Sequence, residues 1–138
     1  MKKLFALLCC TAMLGAFTGC SDDKDDDVDA ALLVGVWRCT AEYDGEDDTY
    51  YPITEPDYMR INADGTGAKG LSSPTEISKY DNFTWHCEGR TFVFSYTGEK
   101  HTNEWNIETL TQDELAFSVD CEDEGYSWVE KEFYERVQ

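Results

Sequence analysis

The residue types that most often do chemistry are few in this chain and widely spaced. Its two histidines are His86 and His101, and three of its six cysteines, Cys39, Cys87 and Cys121, follow residue 30. No two of these cysteines form a Cys-x-x-Cys redox or zinc motif, and strand alternation places His86 on the face opposite Cys87. General acid–base and nucleophilic catalysis need such groups within hydrogen-bond reach of one another. We therefore expect no metal site, no cofactor and no enzymatic activity.

An acidic loop is a further candidate for chemistry, because calcium takes several carboxylate oxygens as ligands. The loop contains Asp44, Glu46, Asp47 and Asp48, but their spacing is not that of a calcium-binding loop. The whole chain is acidic, with 29 aspartates and glutamates against 11 lysines and arginines and a net charge of -18. Such a charge repels nucleic acid and anionic lipid headgroups. We interpret the loop as solvated surface and expect no nucleic-acid partner.

Cys20 follows a segment with the features of a secretory signal. Lys2 and Lys3 precede an apolar run over residues 4–17, and Thr18-Gly19 precedes the cysteine. The run is shorter than the ~20 apolar residues that a membrane-spanning helix needs. The segment resembles a bacterial lipobox. That resemblance implies cleavage before Cys20, acylation of its thiol with chains such as palmitate, and attachment of the mature protein to a membrane.

Residues 20–31 are predicted to form an acidic, disordered tether. Residues 21–29 hold six aspartates and one lysine, a composition that cannot build a packed core. The segment resembles the acidic tag of surface-exposed lipoproteins in some Gram-negative bacteria, which implies an outer-membrane protein exposed at the cell surface. A plain spacer on a periplasm-facing lipoprotein is the alternative. The chain thus divides into a signal (1–19), the tether and one domain (32–138).

From residue 34 onward, apolar and polar residues alternate with a period of two, and turn residues recur at short intervals. A single helical turn near residues 32–35 is the only helix that we expect. An all-β meander of this kind removes its exposed edges by closing into an eight-stranded antiparallel up-and-down barrel. The aromatic residues of the last strand do not keep one parity, which predicts a bulge or burial on both faces. The predicted strands are residues 34–43, 58–61, 66–71, 82–87, 91–96, 102–108, 114–121 and 126–137.

Strand parity predicts an apolar and aromatic barrel interior. We expect this interior to lack histidines and paired acids, since parity places Glu42 and most other acidic residues on outer faces or in loops. The candidate ligand-lining residues are Phe83, Trp85, Trp105, Phe117, Met59 and Tyr43. The other residues expected to face inward are Trp37, Cys39, Ala41, Ile61, Cys87, Ile107, Leu115 and Val119.

The three cysteines of the domain leave two alternatives open. An oxidising compartment permits one disulfide, and if it forms, Cys39 and Cys87 are the expected pair. Equally, Cys39, Cys87 and Cys121 can all remain small buried apolar residues.

Gly35, Trp37 and Arg136 match motif positions of a known family. The Gly-x-Trp sequence opens the first strand and the arginine stands near the end of the last. The chain resembles the short lipocalin-like domains of bacterial surface and periplasmic lipoproteins over residues 32–137. In that family the arginine packs over the tryptophan and closes one end of the barrel. A cation over an indole contributes ~1 kcal/mol or more when it is shielded from water.

The resemblance implies a barrel that binds a small apolar or amphipathic molecule. The alternative is a barrel filled by its own aromatic side chains, which would act through its loops on another envelope or host protein. The volume of the cavity separates these hypotheses, since ligand pockets occupy a few hundred cubic ångströms.

Overall fold

The computed structural model describes residues 28–78 and 81–137, so the predicted signal, Cys20 and most of the tether lie outside the described residues. A 3-10 helix, Ala30–Leu33, precedes the strands, close to the predicted helical turn. No helix in these described ranges has the length and apolarity needed to cross a membrane. The strands are β1 Gly35–Asp44, β2 Thr49–Pro52, β3 Tyr58–Ile61, β4 Thr66–Leu71, β5 Asn82–Glu88, β6 Thr91–Tyr96, β7 Asn103–Leu110, β8 Glu114–Asp123 and β9 Tyr126–Arg136.

The strands close into a barrel with eight strand positions. Each strand from β3 to β9 pairs antiparallel with the next, and β1 pairs with both β3 and β9 to complete the ring. The first half of β1 pairs with β3 and its second half with β2, so that β2 and β3 share one position. The predicted eight-stranded up-and-down barrel is confirmed. The sequence pattern predicted a loop over Thr49–Pro52. This was wrong, because the polar turn before these residues is a hairpin turn, after which they pair as β2 with the second half of β1.

The two ends of the barrel differ in the elements that close them. At the closed end, the 3-10 helix lies before the start of β1, and Arg136 from the end of β9 hydrogen-bonds to Val34 O at 2.8 Å. Antiparallel alternation places the β1–β2, β6–β7 and β8–β9 turns at the opposite end, which we call the open end. The ring closes entirely through pairings within residues 35–136.

The core fills the barrel from the closed end to its middle. Phe83, Phe92 and Phe94 pack against one another with ring centroids 5.4–6.1 Å apart, and full burial of each such side chain contributes about 1.5–3 kcal/mol. Gly67 makes room for this cluster, because a Cβ there would lie 2.4 Å from the Phe83 ring. Phe92 and Phe94 were not among the predicted inward residues. The full buried cluster is Leu33, Trp37, Cys39, Met59, Ile61, Phe83, Phe92, Phe94, Ile107, Leu115, Phe117 and Tyr134.

A bulge at Thr40 reverses the faces of β1. Cys39 pairs with Tyr134 but Ala41 pairs with Phe133, so one residue of β1 is left without a partner on β9. Because successive side chains of a strand alternate, one extra residue turns every later side chain to the other face. The predictions that Ala41 and Tyr43 face inward and that Glu42 faces outward were therefore wrong.

The last strand is buried on both faces, as one of the two sequence alternatives anticipated. Tyr134 packs inside the barrel against Phe117 at 6.1 Å between ring centroids. Phe133 packs outside against Tyr50 at 5.9 Å. The register between β8 and β9 is regular over its whole length, which shows that β9 itself contains no bulge.

The three cysteines of the domain are free thiols. Cys39 is fully buried on β1, and Cys87 is half-buried on β5. Since β3 and β4 lie between these two strands in the ring, the expected Cys39–Cys87 disulfide is not formed in this structure. A disulfide requires Cα atoms about 4.4–6.8 Å apart, which non-neighbouring strands rarely provide.

Candidate functional site

Three polar side chains meet inside the barrel above its aromatic core. Lys69 Nζ donates to Glu132 Oε1 and to the Tyr134 hydroxyl, each at 2.9 Å. The Tyr134 hydroxyl in turn donates to Glu132 Oε1 at 2.5 Å. We call Lys69, Glu132 and Tyr134 the polar cluster. It corrects the expectation from strand parity of an apolar and aromatic interior.

The strands position the polar cluster by ordinary alternation. Glu132 and Tyr134 are two residues apart on β9, so both point inward, opposite Phe117 and Leu115 of β8. Lys69 reaches them from β4, across the barrel, and its ammonium group lies 4.7 Å from the centroid of the Trp105 ring. The Lys69 side chain is only 18 % exposed, so its attraction to the carboxylate and to the indole is partly shielded from water.

Two further carboxylates border the polar cluster. Burial raises the pKa of Asp57, and the carboxylate of Glu132 raises it further, while the Lys69 charge opposes both effects. Partial burial also raises the pKa of Glu42, and the negative charges of Glu132 and Asp57 add to the shift. Crowded carboxylates in a partly buried site disfavour one another's ionisation. The expectation that parity places no acid pair inside the barrel was therefore wrong.

Tyr134 is neutral in this environment. Burial raises the pKa of its hydroxyl well above the ordinary value, and the neighbouring Glu132 charge acts in the same direction. The hydroxyl is therefore a donor to Glu132 and an acceptor from Lys69. Both its hydrogen-bonding functions are satisfied within the polar cluster.

A cavity of about 300 Å³ lies at the open end, next to the polar cluster. This volume falls at the lower limit of the ~300–1,000 Å³ that small-molecule sites occupy. The aromatic rings of Trp105 and Phe117, whose centroids are 5.3 Å apart, form its apolar side. The barrel is thus filled towards its closed end and hollow towards its open end.

The wall of the cavity at the open end is acidic. Glu42 of β1 pairs with Glu132 of β9, and Asp44 pairs with Glu130, so four carboxylates follow these two strands on the inner face. Lys131 also borders the cavity, but its ammonium group lies 3.1 Å from Glu108 Oε1.

The closed end holds a second cation over a second tryptophan. The Arg136 guanidinium carbon lies 4.2 Å from the centroid of the Trp37 ring. The arginine donates to the main-chain carbonyls of Leu32, Val34 and Gln112, which ties the 3-10 helix and the β7–β8 turn to the last strand. Trp37 Nε1 donates to Leu33 O at 2.9 Å. These contacts close the barrel, and Gly35 begins the strand that carries Trp37.

The six predicted ligand-lining residues are found in different surroundings. Trp105 and Phe117 line the cavity, as predicted. Phe83 and Met59 are fully buried in the core. Trp85 stacks on Phe92 and donates its indole N–H to Asn62 O near the closed end. Tyr43 borders the cavity, but the bulge turns its ring outward, where it packs on Tyr50 and its hydroxyl donates to Asp48.

The sequence analysis missed Lys69, Glu132, Tyr134 and Asp57. A signal for two of them was present, because Glu132 and Tyr134 have the same parity as Arg136, whose inward position the Gly-x-Trp resemblance already implied. No comparable signal existed for Lys69, which stands in a short Gly-rich strand, or for Asp57, which lies between β2 and β3.

The remaining candidates for chemistry are surface groups. His86 is exposed and lies 2.7 Å from Glu88, and His101 lies 3.3 Å from Glu99. In the acidic loop, Asp47 accepts a hydrogen bond from the Tyr51 hydroxyl. Within residues 28–78 and 81–137, no group of three or more His, Cys, Asp or Glu side chains is arranged to hold a metal ion.

Comparison with known proteins agrees with this geometry. A family model described as a lipocalin-like domain matches residues 33–117, which is more than half of the chain and extends from the end of the 3-10 helix into β8. A search of curated proteins finds no match. With the closed barrel and its matched Gly-x-Trp strand, this match shows that the chain belongs to the family of lipocalin-like domains.

Proposed function

We propose that this protein is a membrane-anchored binding protein that holds a small amphipathic molecule in the cavity at the open end of its barrel. The observation that carries the proposal is the cavity itself, about 300 Å³ of space above a filled core.

The chemistry of the cavity supports an amphipathic rather than a purely apolar ligand. Trp105 and Phe117 offer ring faces to an apolar group. Glu42 and Glu130 border the same cavity and can bond a polar group near solvent. Such a mixture of aromatic wall and a few polar groups is typical of small-molecule sites.

A binding role is favoured over catalysis because the polar cluster satisfies itself. The Lys69 ammonium is bound by Glu132 and Tyr134, and a lysine paired in this way is not a free nucleophile or base. The ion pair instead fixes the position of the Trp105 ring beneath the cavity, through the contact of 4.7 Å between the ammonium and the indole.

Anchoring through Cys20 is part of the proposal and rests on the lipobox resemblance of the sequence. We expect Cys20→Ser to abolish incorporation of labelled palmitate and to leave the membrane fraction without the mature lipoprotein. Replacing the aspartates of residues 22–27 with alanine should reduce the access of added protease to the protein on intact cells. Unchanged access would indicate a periplasm-facing protein.

A neutral fluorescent probe tests the cavity directly. The chain from residue 20, with Cys20→Ser to prevent acylation, contains every strand of the ring and would be purified without detergent. We expect N-phenyl-1-naphthylamine to bind it saturably at one site with a rise in fluorescence. Val119 lines the cavity, so Val119→Phe should fill the space and abolish the rise.

Val129→Phe is the matched control for this experiment. Val129 pairs with Asp120 on the neighbouring strand at nearly the same level, and alternation turns its side chain to the outer face. We expect this variant to bind the probe like the parent chain. A probe signal that is absent in the parent, or equal in both variants, would contradict binding in the cavity.

A second candidate function uses the outer face. Tyr50 is 61 % exposed and forms an aromatic patch with Tyr43 and Phe133, at ring-centroid distances of 4.7 and 5.9 Å. Exposed tyrosine patches are typical of protein contacts. A photo-crosslinking residue at position 50 should then capture an envelope or host protein in intact cells, whereas the same residue at exposed Glu104, on the outer face of β7, should not.

A further inference from the structure

The cavity contains more negative charge than its own side chains neutralise. Glu42, Asp44, Glu130 and Glu132 border it, and Glu132 is the one whose carboxylate binds Lys69. Within the described ranges, Glu42, Asp44 and Glu130 form no ion pair. The space above the aromatic wall is therefore surrounded by carboxylates that lack a cation.

The polar cluster shows how this barrel binds an ammonium group. Lys69 Nζ has a carboxylate oxygen and a hydroxyl at 2.9 Å, and an indole ring centroid at 4.7 Å. The cavity offers the same kinds of group one step nearer to solvent, namely carboxylates on β1 and β9 and the Trp105 and Phe117 rings. Carboxylates and aromatic faces both attract cations and repel anions.

The other lysine at the cavity does not supply the missing charge. Lys131 Nζ lies 3.1 Å from Glu108 and 6.0 Å from the Tyr43 ring, both on the outer side of the sheet. The Glu42 carboxylate is exposed beside the cavity and stands among the like charges of Glu132 and Asp57, so a ligand cation that reached it would offset their repulsion.

We infer that the ligand of the open-end cavity is a cationic amphiphile, with an ammonium group against Glu42 and Glu130 and an apolar body on Trp105 and Phe117. This inference rests on the proposed function and specifies its ligand class. The size of the cavity, about 300 Å³, limits the apolar body to two or three aromatic rings or a short chain.

Three probes that share one apolar body separate charge from shape. 3-Phenylpropylamine, 3-phenylpropanol and 3-phenylpropanoate differ only in the terminal group and are soluble without micelles. Each would displace N-phenyl-1-naphthylamine from the chain of residues 20–138 that carries Cys20→Ser. We expect the amine to displace the dye at a concentration about tenfold or more below that of the alcohol, which corresponds to at least ~1.4 kcal/mol, and the carboxylate to be the weakest.

The paired variant Glu42→Gln and Glu130→Gln should remove most of the advantage of the amine and leave the affinity for the alcohol nearly unchanged. Glu104→Gln with Glu114→Gln is the control for net charge, because it also removes two carboxylates and both side chains are exposed on the outer face, beside the inward Trp105 of β7 and Leu115 of β8. This control should keep the full preference for the amine.

The outcomes distinguish the inference from the function on which it rests. Equal displacement by all three probes, or an amine preference that Glu104→Gln with Glu114→Gln weakens as much as the paired cavity variant does, would overturn the cationic ligand and leave the cavity as a binding site. Absence of saturable dye binding in the parent chain would overturn both.

Discussion

The two ends of this barrel each hold a basic side chain over a tryptophan, and they use it differently. At the closed end, Arg136 lies over Trp37 and donates to three main-chain carbonyls from two separate segments. At the open end, Lys69 lies over Trp105 and donates to a carboxylate and a hydroxyl beside a cavity. The first arrangement ties the chain together, whereas the second surrounds a space. One physical interaction therefore closes one end of the barrel and borders a cavity at the other, according to what the remaining donors of each basic group contact.

Arginine and lysine suit these two roles. The guanidinium group has five N–H donors in a planar fork, so that Arg136 can bond several carbonyls and still stack on an indole. The ammonium group of Lys69 is compact, which leaves room for the cavity above it. Exchanging the two residue types would therefore weaken both ends.

The largest effect is expected from breaking the closed end. Arg136→Met should lower the free energy of unfolding by about 3 kcal/mol or more, because carbonyl oxygens lose charged donors and the indole loses its cation. Urea denaturation followed by tryptophan fluorescence measures this loss. Arg38→Met is the matched control, since Arg38 forms only an exposed ion pair with Glu135 at 2.7 Å and should have a much smaller effect. Equal losses would mean that Arg136 does not close the barrel.

Breaking the polar cluster should cost less. Lys69→Met leaves the Glu132 carboxylate without its cation, and since that side chain is 27 % exposed, water can partly replace the lysine. We expect a loss of about 1–2 kcal/mol, of which the double variant Lys69→Met with Glu132→Gln should recover part. The same urea experiment, arranged as a double-mutant cycle, gives the coupling. A coupling energy near zero would show that the ion pair does not act as a unit.

The pH dependence of stability should identify the carboxylates near the open end whose ionisation is disfavoured in the folded state. The pKa values of Glu42 and Asp57 are raised above their ordinary values of 4.5 and 3.8. Their protonated forms therefore favour folding, and this stability is lost as the pH rises from those ordinary values through the raised ones. Relative to the parent, Glu42→Gln and Asp57→Asn should become more stable as the pH rises through this window.

Glu108 provides a control of opposite sign for that titration. Its hydrogen bond with Lys131 lowers the pKa of Glu108, so its contribution to stability is present above the ordinary value of 4.5 and is lost as the pH falls through the lowered one. Glu108→Gln should therefore lose stability relative to the parent as the pH rises from acid. Slopes of the same sign for Glu42→Gln and Glu108→Gln would contradict the assignment of Glu42 to a partly buried acidic wall.

The smallest effect is expected at Cys39, on the boundary between the filled core and the open-end cavity. Cys39 lies on β1 just before the bulge, and burial raises the pKa of its thiol to about 12. We expect iodoacetamide at neutral pH to alkylate Cys39 far more slowly than half-buried Cys121. The protein should keep its free energy of unfolding under these conditions. Mass spectrometry of the digested protein measures both sites. Rapid alkylation of Cys39 would show that the cavity extends further towards the closed end than it does in the structure.

The sequence allowed the fold to be predicted better than the site. Alternation, turn spacing and the Gly35-Val36-Trp37 sequence with Arg136 were sufficient for an eight-stranded barrel with one closed end. The polar interior could not be predicted, because a single bulged residue at Thr40 reverses the face of Glu42, and bulges leave no reliable mark in a single sequence. Lys69 depends on contacts across the barrel, between strands far apart in the chain, which local patterns do not encode.

The proposed division of the barrel into a ligand-binding open end and a structural closed end can be tested at the indole signals of a ¹H–¹⁵N spectrum. Titration with 3-phenylpropylamine would be followed at the indole N–H groups of Trp37 and Trp105, each assigned by its phenylalanine variant. We predict a saturable shift of the Trp105 signal and an unmoved Trp37 signal. A Trp105 signal that stays in place while the amine binds, or equal shifts of both signals, would contradict binding at the open end.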